Sequence, residues 1–214
     1  MVTQILNNMK RKPYEKLYIF PDNMIIDAIK KRWSPYSFSS ATIEDEAIKA
    51  MFEAAGMAPS SNNEQPWLFV YTNRTDSKKF NEFLDFLTLS NREWAQHAYA
   101  IIISFARLTY SYNNKPNRYA LHDTGMAVAN LLAQATAMNI YVHQMGGYSV
   151  AKVREHFNLR DDVEPVTVMA VGYLGDGTNI SVEKLKKDEK RRPRKHQDEY
   201  SFKDILPGKF IRIL

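Results

Sequence analysis

Residues 58–67 read APSSNNEQPW, a dense run of hydroxyl and amide side chains. The run follows a stretch with a helical pattern of apolar residues, which ends at Gly56. It precedes the apolar stretch WLFVYT from Trp67, which is typical of a buried strand. Its composition fits two interpretations equally well: a polar connector, or a loop whose side chains and backbone N–H groups surround a flat heteroaromatic ligand. Other segments of the chain are needed to distinguish the connector from the ligand-binding loop.

Helical and strand patterns alternate along the rest of the chain without a strict βα repeat. A first helix, capped by Asp22 or Asn23, is expected to end ahead of Pro35, and a second is expected to begin at Thr42. Further helices are predicted over residues 75–89, 122–138 and 149–157, and strands over residues 67–72, 98–106, 140–142 and 166–171. The pattern predicts one α+β domain over residues 1–214, with a central mixed sheet flanked by helices and extended arms at residues 1–20 and 203–214.

The composition is that of a globular protein, with 44% hydrophobic and 25% charged residues among 214. The absence of cysteine excludes disulfides, thiolate nucleophiles and cysteine metal sites. The first residues contain no apolar core of a secretory signal, and the apolar stretch 125–142 is interrupted by three amide side chains. We therefore expect a cytoplasmic protein without a membrane-spanning helix.

The net charge of +5 is concentrated in residues 184–195, KLKKDEKRRPRK. Such a run can bind a polyanion such as nucleic acid. Asp188 and Glu189 interrupt it, however, and no aromatic residue that could stack on bases is interleaved. A solvated arm is therefore the favoured interpretation, and polyanion binding is a weaker alternative.

No familiar motif for side-chain catalysis is present. The patterns GxxxxGK(S/T), HExxH and GxSxG are all missing from the chain. The five histidines form no pair at the spacing that helical metal ligands require, so we expect no metal site. If the protein is an enzyme, its chemistry has to come from another source.

Two further segments contain groups that suit a phosphorylated ligand. In RWSPYSF, residues 32–38, the guanidinium of Arg32 and the hydroxyl of Ser34 could hold a phosphate. In QMGGY, residues 144–148, two glycines would let a ligand approach the backbone and its N–H donors. Each segment taken alone is also consistent with an ordinary turn.

Taken in order, these segments resemble the FMN-dependent nitroreductase family. RWSPYSF is similar to its RRSxRxF-like run, and APSSNNEQPWLF is similar to its APSSxNxQPWxF run. HDTGMAVANLLA, from His122, resembles its DxGxAxxNLLLAA helix. HQMGGY and MAVGYLGD follow at the expected later places, so that the resemblance covers about residues 22 to 202. The order of the segments is more specific than any one of them.

The resemblance implies an α+β homodimer with two FMN sites, each built from both subunits. Arg32 and Ser34 would contact the phosphate and ribityl end. Basic residues near the C-terminus would also reach the phosphate, and Arg194 matches that position better than Arg192. Trp33 and Tyr36 stand where many relatives carry basic residues, so phosphate binding would depend more on Arg32 and Arg194.

The resemblance also assigns the residues around the flavin ring. Ser60, Ser61 and Asn63 would approach the flavin that is bound chiefly by the other subunit. The segment at the end of the third predicted strand would line the ring near its N5 atom; its residues are Gln144, Met145, Gly146 and Gly147.

The implied activity is ping-pong transfer of a hydride from NADH or NADPH, through flavin N5, to a nitroaromatic, a quinone or a similar small conjugated acceptor. Because the cofactor carries the chemistry, no side-chain acid or nucleophile is required. The tyrosine-rich segment 107–119, with Tyr110 and Tyr112, is expected to contribute acceptor specificity. A flavin-binding redox sensor or carrier without turnover is the alternative that the sequence leaves open.

Overall fold

The centre of the molecule is a four-stranded sheet. The computed structural model describes residues 24–190 and 192–210. Its strands are β1 (Trp67–Asn73), β2 (Ala100–Arg107), β3 (Ile140–Met145) and β4 (Val163–Tyr173), in the spatial order β1-β2-β4-β3. The predicted caps Asp22 and Asn23, the predicted arm 1–20 and the last residues 211–214 of the second arm lie outside the described residues.

Every strand pair among the described residues is antiparallel. Strands β2 and β3 run in the same direction, but β4 is inserted between them and pairs with both. The fold class, α+β with helices around a central sheet, is confirmed. The expectation of a mixed sheet was wrong, because the two parallel strands are never neighbours.

Helices cover both faces of the sheet. They are α1 (Asp27–Lys31), α2 (Asp45–Gly56), α3 (Ser77–Leu84), α4 (Leu89–Ala95), α5 (Ala120–Ala137), α6 (Val150–His156) and α7 (Val182–Glu189). The side chain of Ile102 packs in the core that α2 and α5 share, whereas its neighbours Ile101 and Ile103 pack in the core of α3, α4 and α6. All three are 0% exposed. Burial on both faces explains why β2 is continuously apolar in sequence.

Three of the predicted helices differ from the sequence predictions. Helix α1 begins at Asp27 with Ile26 as its N-cap, so the prediction that Asp22 or Asn23 caps it was wrong. The predicted helix 75–89 ends at Leu84 as α3, and α4, which was not predicted, begins at Leu89. The chain between them turns to meet the segment after β3: Thr88 N–H donates to the Gly147 carbonyl at 3.0 Å, and Ser149 N–H donates to the Phe86 carbonyl at 2.8 Å. This tertiary contact overrides the local helical period. Helix α2 begins at Asp45 rather than at Thr42 because Ile43 is buried and Glu44 has extended backbone.

The segment that follows α7 lies on the surface. Its larger apolar side chains are exposed over the described part of the predicted C-terminal arm, with Ile205 at 75% and Leu206 at 53%. Across residues 24–190 and 192–210, no helix combines the length and the apolar character that crossing a membrane requires.

Candidate functional site

The 32–37 loop begins where helix α1 ends at Lys31, ahead of Pro35. The guanidinium of Arg32 donates through Nη1 to the hydroxyl of Ser34 at 3.1 Å, so the two predicted phosphate-binding side chains lie together. Both residues are half-buried, as is Trp33 between them. The structure therefore brings a guanidinium and a hydroxyl into one preformed pair.

The backbone that follows this pair is fixed by two distant elements. From β3, His143 donates through Nδ1 to the Pro35 carbonyl at 2.9 Å. From α7, the Asp188 carboxylate accepts the N–H of Tyr36, 3.0 Å from each of its oxygens, and the N–H of Ser37 at 3.1 Å. Three consecutive residues of the loop are thus held by hydrogen bonds to residues more than a hundred positions later in the chain.

The side chain of Tyr36 packs in an aromatic cluster instead of projecting into solvent. Its ring meets Trp94 edge-on at 5.1 Å between centroids and lies 4.8 Å from the ring of His143. The ammonium of Lys184 lies 4.8 Å from the centre of the Tyr36 ring, a cation–π contact, and Lys184 is only 9% exposed. Tyr36 consequently links the loop to both β3 and α7.

Positive charge accumulates around this loop. Burial lowers the pKa of His143, and the charges of Lys184 and Arg32 lower it further. The pKa of Lys187 is raised chiefly by Glu183, while the charge of Arg192 acts in the opposite direction. We call Arg32, Lys184, Lys187 and Arg192 the basic cluster. Arg194 is exposed two residues further on.

Helix α7 corrects one sequence interpretation. Residues 184–195 were expected to form a solvated arm, but the first part is a helix that buries Lys184 at 9% and Asp188 at 6% exposure. These two residues are four apart, which is the spacing of one helix face. The face was missed because its buried residues are charged, and a pattern of apolar residues cannot identify such a face.

The segment after β3 combines an exposed and a packed glycine. A Cβ on Gly146 would meet nothing within 4 Å, whereas a Cβ on Gly147 would lie 2.6 Å from Asn91 Nδ2. That amide donates to the Gly147 carbonyl at 3.0 Å. Gln144 is exposed, but the side chain of Met145 is buried in the core, so a contact of Met145 with a ligand would use its backbone. Of these two glycines, Gly146 is the one that leaves its backbone open on the Cβ side.

The polar loop 58–67 adopts an unusual backbone. Asn62, Asn63 and Gln65 have φ angles of 54°, 55° and 49°, in the left-handed region that asparagine tolerates better than glutamine. The Ser60 hydroxyl accepts the N–H of Gln65 at 3.0 Å, and Gln65 Nε2 donates to Asn63 Oδ1 at 3.3 Å. Such backbone is maintained only where its surroundings enforce it, and it is frequent at ligand sites.

Contacts with two other segments hold this loop. The Ser61 N–H donates to the buried Asp123 carboxylate at 2.9 Å, on the first turn of α5. The Glu64 carboxylate pairs with Arg107 and accepts the N–H of Ser111 at 2.6 Å. Burial acts to raise the pKa of Glu64, but the hydrogen bonds from Ser111 and the charge of Arg107 outweigh it and lower that pKa.

A cleft of about 380 Å³ opens beside the loop; its lining residues are Pro59, Ser60, Ser61, Tyr119, His122, Asp123 and Met126. Segment 107–119 borders it, since the hydroxyls of Tyr110 and Ser61 are 3.3 Å apart and the rings of Tyr110 and Tyr112 are 5.3 Å apart. The sequence motif around His122 indicated this helix but assigned no role to Asp123. Its burial and its bond to Ser61 identify it as a residue that holds the loop.

The predicted site residues therefore form two groups. Arg32, Trp33, Ser34 and Tyr36 lie with the end of β3 and with α7, which leads directly to Arg192 and Arg194. The described contacts of the Ser60–Asn63 group run instead to α5 and to segment 107–119.

Comparisons with known proteins agree on one family. The model of the Nitroreductase family matches residues 29–88 and 74–173, more than half of the chain. A protein of Archaeoglobus fulgidus with the provisional name NADH dehydrogenase/NAD(P)H nitroreductase is 28% identical over 144 residues, 65% of this chain and 79% of that protein. A crystal structure described as an oxidoreductase containing FMN has a TM-score of 0.83 and 25% identity, covering 91% of this chain and 98% of the other.

The fold is shared more widely. A nitroreductase family protein from Streptococcus pneumoniae superposes with a TM-score of 0.65 at 23% identity, over 82% of this chain and 98% of that one. The family match, the similar fold and the order of the motifs lead to one conclusion: this chain is a member of the nitroreductase family.

Proposed function

We propose that this nitroreductase family protein is an FMN-dependent NAD(P)H oxidoreductase that reduces a small conjugated acceptor such as a nitroaromatic or a quinone. The observation that carries the proposal is the Arg32–Ser34 pair within the basic cluster. Similar proteins named as NAD(P)H nitroreductases and a similar structure that contains FMN support the choice of cofactor and electron donor.

The residues at the phosphate end fit a phosphate monoester. Arg32 and Ser34 supply donors from one loop, and Lys187 and Arg192 add positive charge from α7 and the segment after it. A phosphate monoester carries about −1.5 to −2 charges at neutral pH and offers three acceptor oxygens, which suits several basic groups better than one. We infer that Arg32, Ser34, Arg192 and Arg194 hold the phosphate.

The residues around the ring fit a flat heterocycle. Gly146 leaves its backbone open to close approach, and Gln144 beside it is exposed. Bound FMN would supply a ring system that accepts a hydride from a nicotinamide and passes reducing equivalents to an acceptor. The protein would bind and orient the partners, and Arg32 would favour negative charge on the bound group. One pocket used in turn by donor and acceptor gives ping-pong kinetics.

The proposal includes a homodimer in which Ser60, Ser61 and Asn63 complete the site of the other subunit. The loop that carries them borders an open cleft and has a backbone that its own subunit holds in place through Asp123 and Glu64. Large apolar side chains are exposed in α1 and near the C-terminus, including Ile29 at 57% and Ile205 at 75%. Burial of such side chains against a second copy is favourable. The cysteine-free composition agrees with a cytoplasmic location.

A direct test starts with the colour of the purified protein. We expect a yellow dimer that releases FMN on denaturation and is bleached anaerobically by NADH or NADPH. Parallel double-reciprocal plots with a quinone or a nitroaromatic would support ping-pong turnover. A colourless protein that cannot be reconstituted with FMN would contradict the proposal. An FMN-loaded protein that neither nicotinamide reduces would instead favour the redox sensor or carrier.

A further inference from the structure

We propose that Asp188 is a positioning residue for the phosphate end of the site: its carboxylate fixes the 32–37 loop so that Arg32 and Ser34 form a preorganised anion site. This inference rests on the proposed function, because the anion is taken to be the phosphate of FMN. It gives a role to Asp188, a buried acidic residue within the most basic segment of the chain.

The hydrogen bonds of Asp188 are directed at the loop backbone. Both carboxylate oxygens lie 3.0 Å from the N–H of Tyr36, and one lies 3.1 Å from the N–H of Ser37. Among residues 24–190 and 192–210, no cation lies within ion-pair distance of this carboxylate. A carboxylate buried to 6% exposure is costly in free energy, and here the offset comes from two backbone N–H groups.

The loop has little freedom left once these bonds form. Pro35 has a fixed φ angle, and its carbonyl accepts a hydrogen bond from His143. Asp188 then holds the next two residues, so the chain is fixed directly after Ser34. A donor pair that is already ordered binds an anion more tightly, since less conformational entropy is lost on binding.

Basic and titratable groups surround the loop that Asp188 holds, although none of them contributes to the shifted pKa of Asp188 itself. They are Lys184 and Lys187 on α7, Arg192 after it, Arg32 on the loop and His143 on β3. Burial raises the pKa of Asp188 to about 6, although the N–H groups of Tyr36 and Ser37 oppose the rise. Protonation would make the carboxyl neutral and turn one of its oxygens into a donor, so that it would accept the two N–H groups more weakly. The loop should therefore be held less firmly below about pH 6.

Charge and positioning predict opposite results for the substitution Asp188→Asn. A negative charge near a phosphate is repulsive, so its removal alone would tighten FMN binding. An asparagine, however, is neutral and offers only one acceptor oxygen. Even with that oxygen in the place of the one that accepts both N–H groups, the amide NH2 would lie about 3.0 Å from the Tyr36 N–H, and both hydrogen bonds would lose their charge assistance. The positioning role predicts that the affinity for FMN falls.

The experiment measures the affinity of apoprotein for two probes, FMN and riboflavin, which differ by the phosphate. We expect D188N to weaken FMN binding by about tenfold, the equivalent of a lost charge-assisted hydrogen bond, and riboflavin binding by less than about twofold. Glu189→Gln is the matched control, because it makes the same charge change one residue away on an exposed side chain. E189Q should bind both probes as the wild type does.

A second variant separates geometry from charge and guards against a folding defect. Asp188→Glu keeps the charge but displaces the carboxylate by one methylene group, and it too should lose affinity for FMN more than for riboflavin. Thermal unfolding checks that D188N is folded. Its thermal midpoint above pH 6 should be no lower than that of the wild type, since a buried charge has been removed. The wild type should also lose FMN affinity more steeply than D188N below pH 6; the titration of FMN's own phosphate is common to both.

The outcomes distinguish this inference from the proposed function. Wild-type protein that binds neither probe would overturn the proposed function, and the role of Asp188 with it. Wild-type protein that binds FMN, with a D188N variant that binds FMN equally or more tightly, would overturn the positioning role alone. Equal losses of FMN and riboflavin affinity would also overturn it, because they would indicate a general disturbance of the fold.

Discussion

The backbone N–H of Ser61 and the carboxylate of Asp123 are joined by a 2.9 Å hydrogen bond that connects the polar loop 58–67 to the start of the longest helix. Asp123 is 2% exposed, and its other carboxylate oxygen lies 3.1 Å from His122 Nδ1. This buried carboxylate is therefore one of the two that hold the loop beside the cleft; the other is Glu64.

Asp123→Ala should destabilise the protein by about 1–3 kcal/mol, because the Ser61 N–H would lose its partner in a partly buried position. Asp123→Asn keeps one acceptor oxygen and should cost less. Urea unfolding of both variants measures the difference. Asp161→Asn, at an exposed side chain, serves as the control and should be close to neutral. Equal stability of D123A and the wild type would mean that Ser61 is held by other contacts.

Tyr110 offers a test of acceptor specificity. Its hydroxyl lies 3.3 Å from Ser61 Oγ, and its ring packs on Tyr112. Tyr110→Phe removes only the hydroxyl, whereas Tyr110→Ala also removes the ring. If segment 107–119 borders the acceptor, Y110A should change the KM for nitroaromatics and quinones by several-fold, and Y110F should change it less.

The anaerobic rate of reduction by NADH or NADPH is measured on the same tyrosine variants. Because donor and acceptor use one pocket in turn, this rate shows whether a substitution affects the acceptor alone or both substrates. Altered acceptor KM values with a nearly unchanged rate of reduction would support the specificity role. Unchanged KM values for several acceptors in Y110A would show that this segment does not contact them.

The two neighbouring glycines make a matched pair of substitutions. Gly147→Ala would place a Cβ 2.6 Å from Asn91 Nδ2 and disturb that amide's bond to the Gly147 carbonyl, at a cost of about 1–3 kcal/mol. Gly146→Ala meets nothing within 4 Å and should leave the free energy of unfolding nearly unchanged. If a flavin ring approaches the Gly146 backbone, G146A should nevertheless weaken FMN binding.

Thermal unfolding and FMN titration of both glycine variants separate the two effects. A G146A variant that unfolds at a clearly lower temperature would show that this position is packed. A G146A variant with normal stability and normal FMN affinity would remove Gly146 from the site.

The sequence predicted those parts of the fold that depend on apolar periodicity. The run at residues 98–106 gave β2 almost to its ends, and Ser149 caps α6 as expected, with its hydroxyl accepting the N–H of Lys152 at 3.3 Å. The order of the motifs likewise identified the family. The strand, the cap and each single motif are local features, so each could be recognised from a short stretch of residues.

The remaining features depend on contacts between residues far apart in sequence. The bonds of Asp188 to Tyr36 and of Asp123 to Ser61 span 152 and 62 positions. Buried charged residues leave no apolar pattern, so α7 was interpreted as an arm. The position of β4 between β2 and β3 could not be predicted either, because the periodicity of a strand does not indicate which strands it pairs with.

The last prediction concerns Glu64, whose side chain is 3% exposed beside Arg107. Its pKa is lowered in the folded protein, since the bonds from Ser111 and the charge of Arg107 outweigh the effect of burial. A carboxyl whose folded pKa lies below its unfolded value contributes stability above the unfolded value, and this contribution is lost as the pH falls through the folded one. Glu64→Gln should therefore reduce the free energy of unfolding at pH 7, on the order of 1 kcal/mol, and the difference from the wild type should shrink as the pH falls below about 4. Urea unfolding at pH 7 and at the lowest pH where the fold persists measures both values, and Glu189→Gln again supplies an exposed control. A difference that stays constant over this range would mean that Glu64 stabilises the loop through its shape and not through its charge.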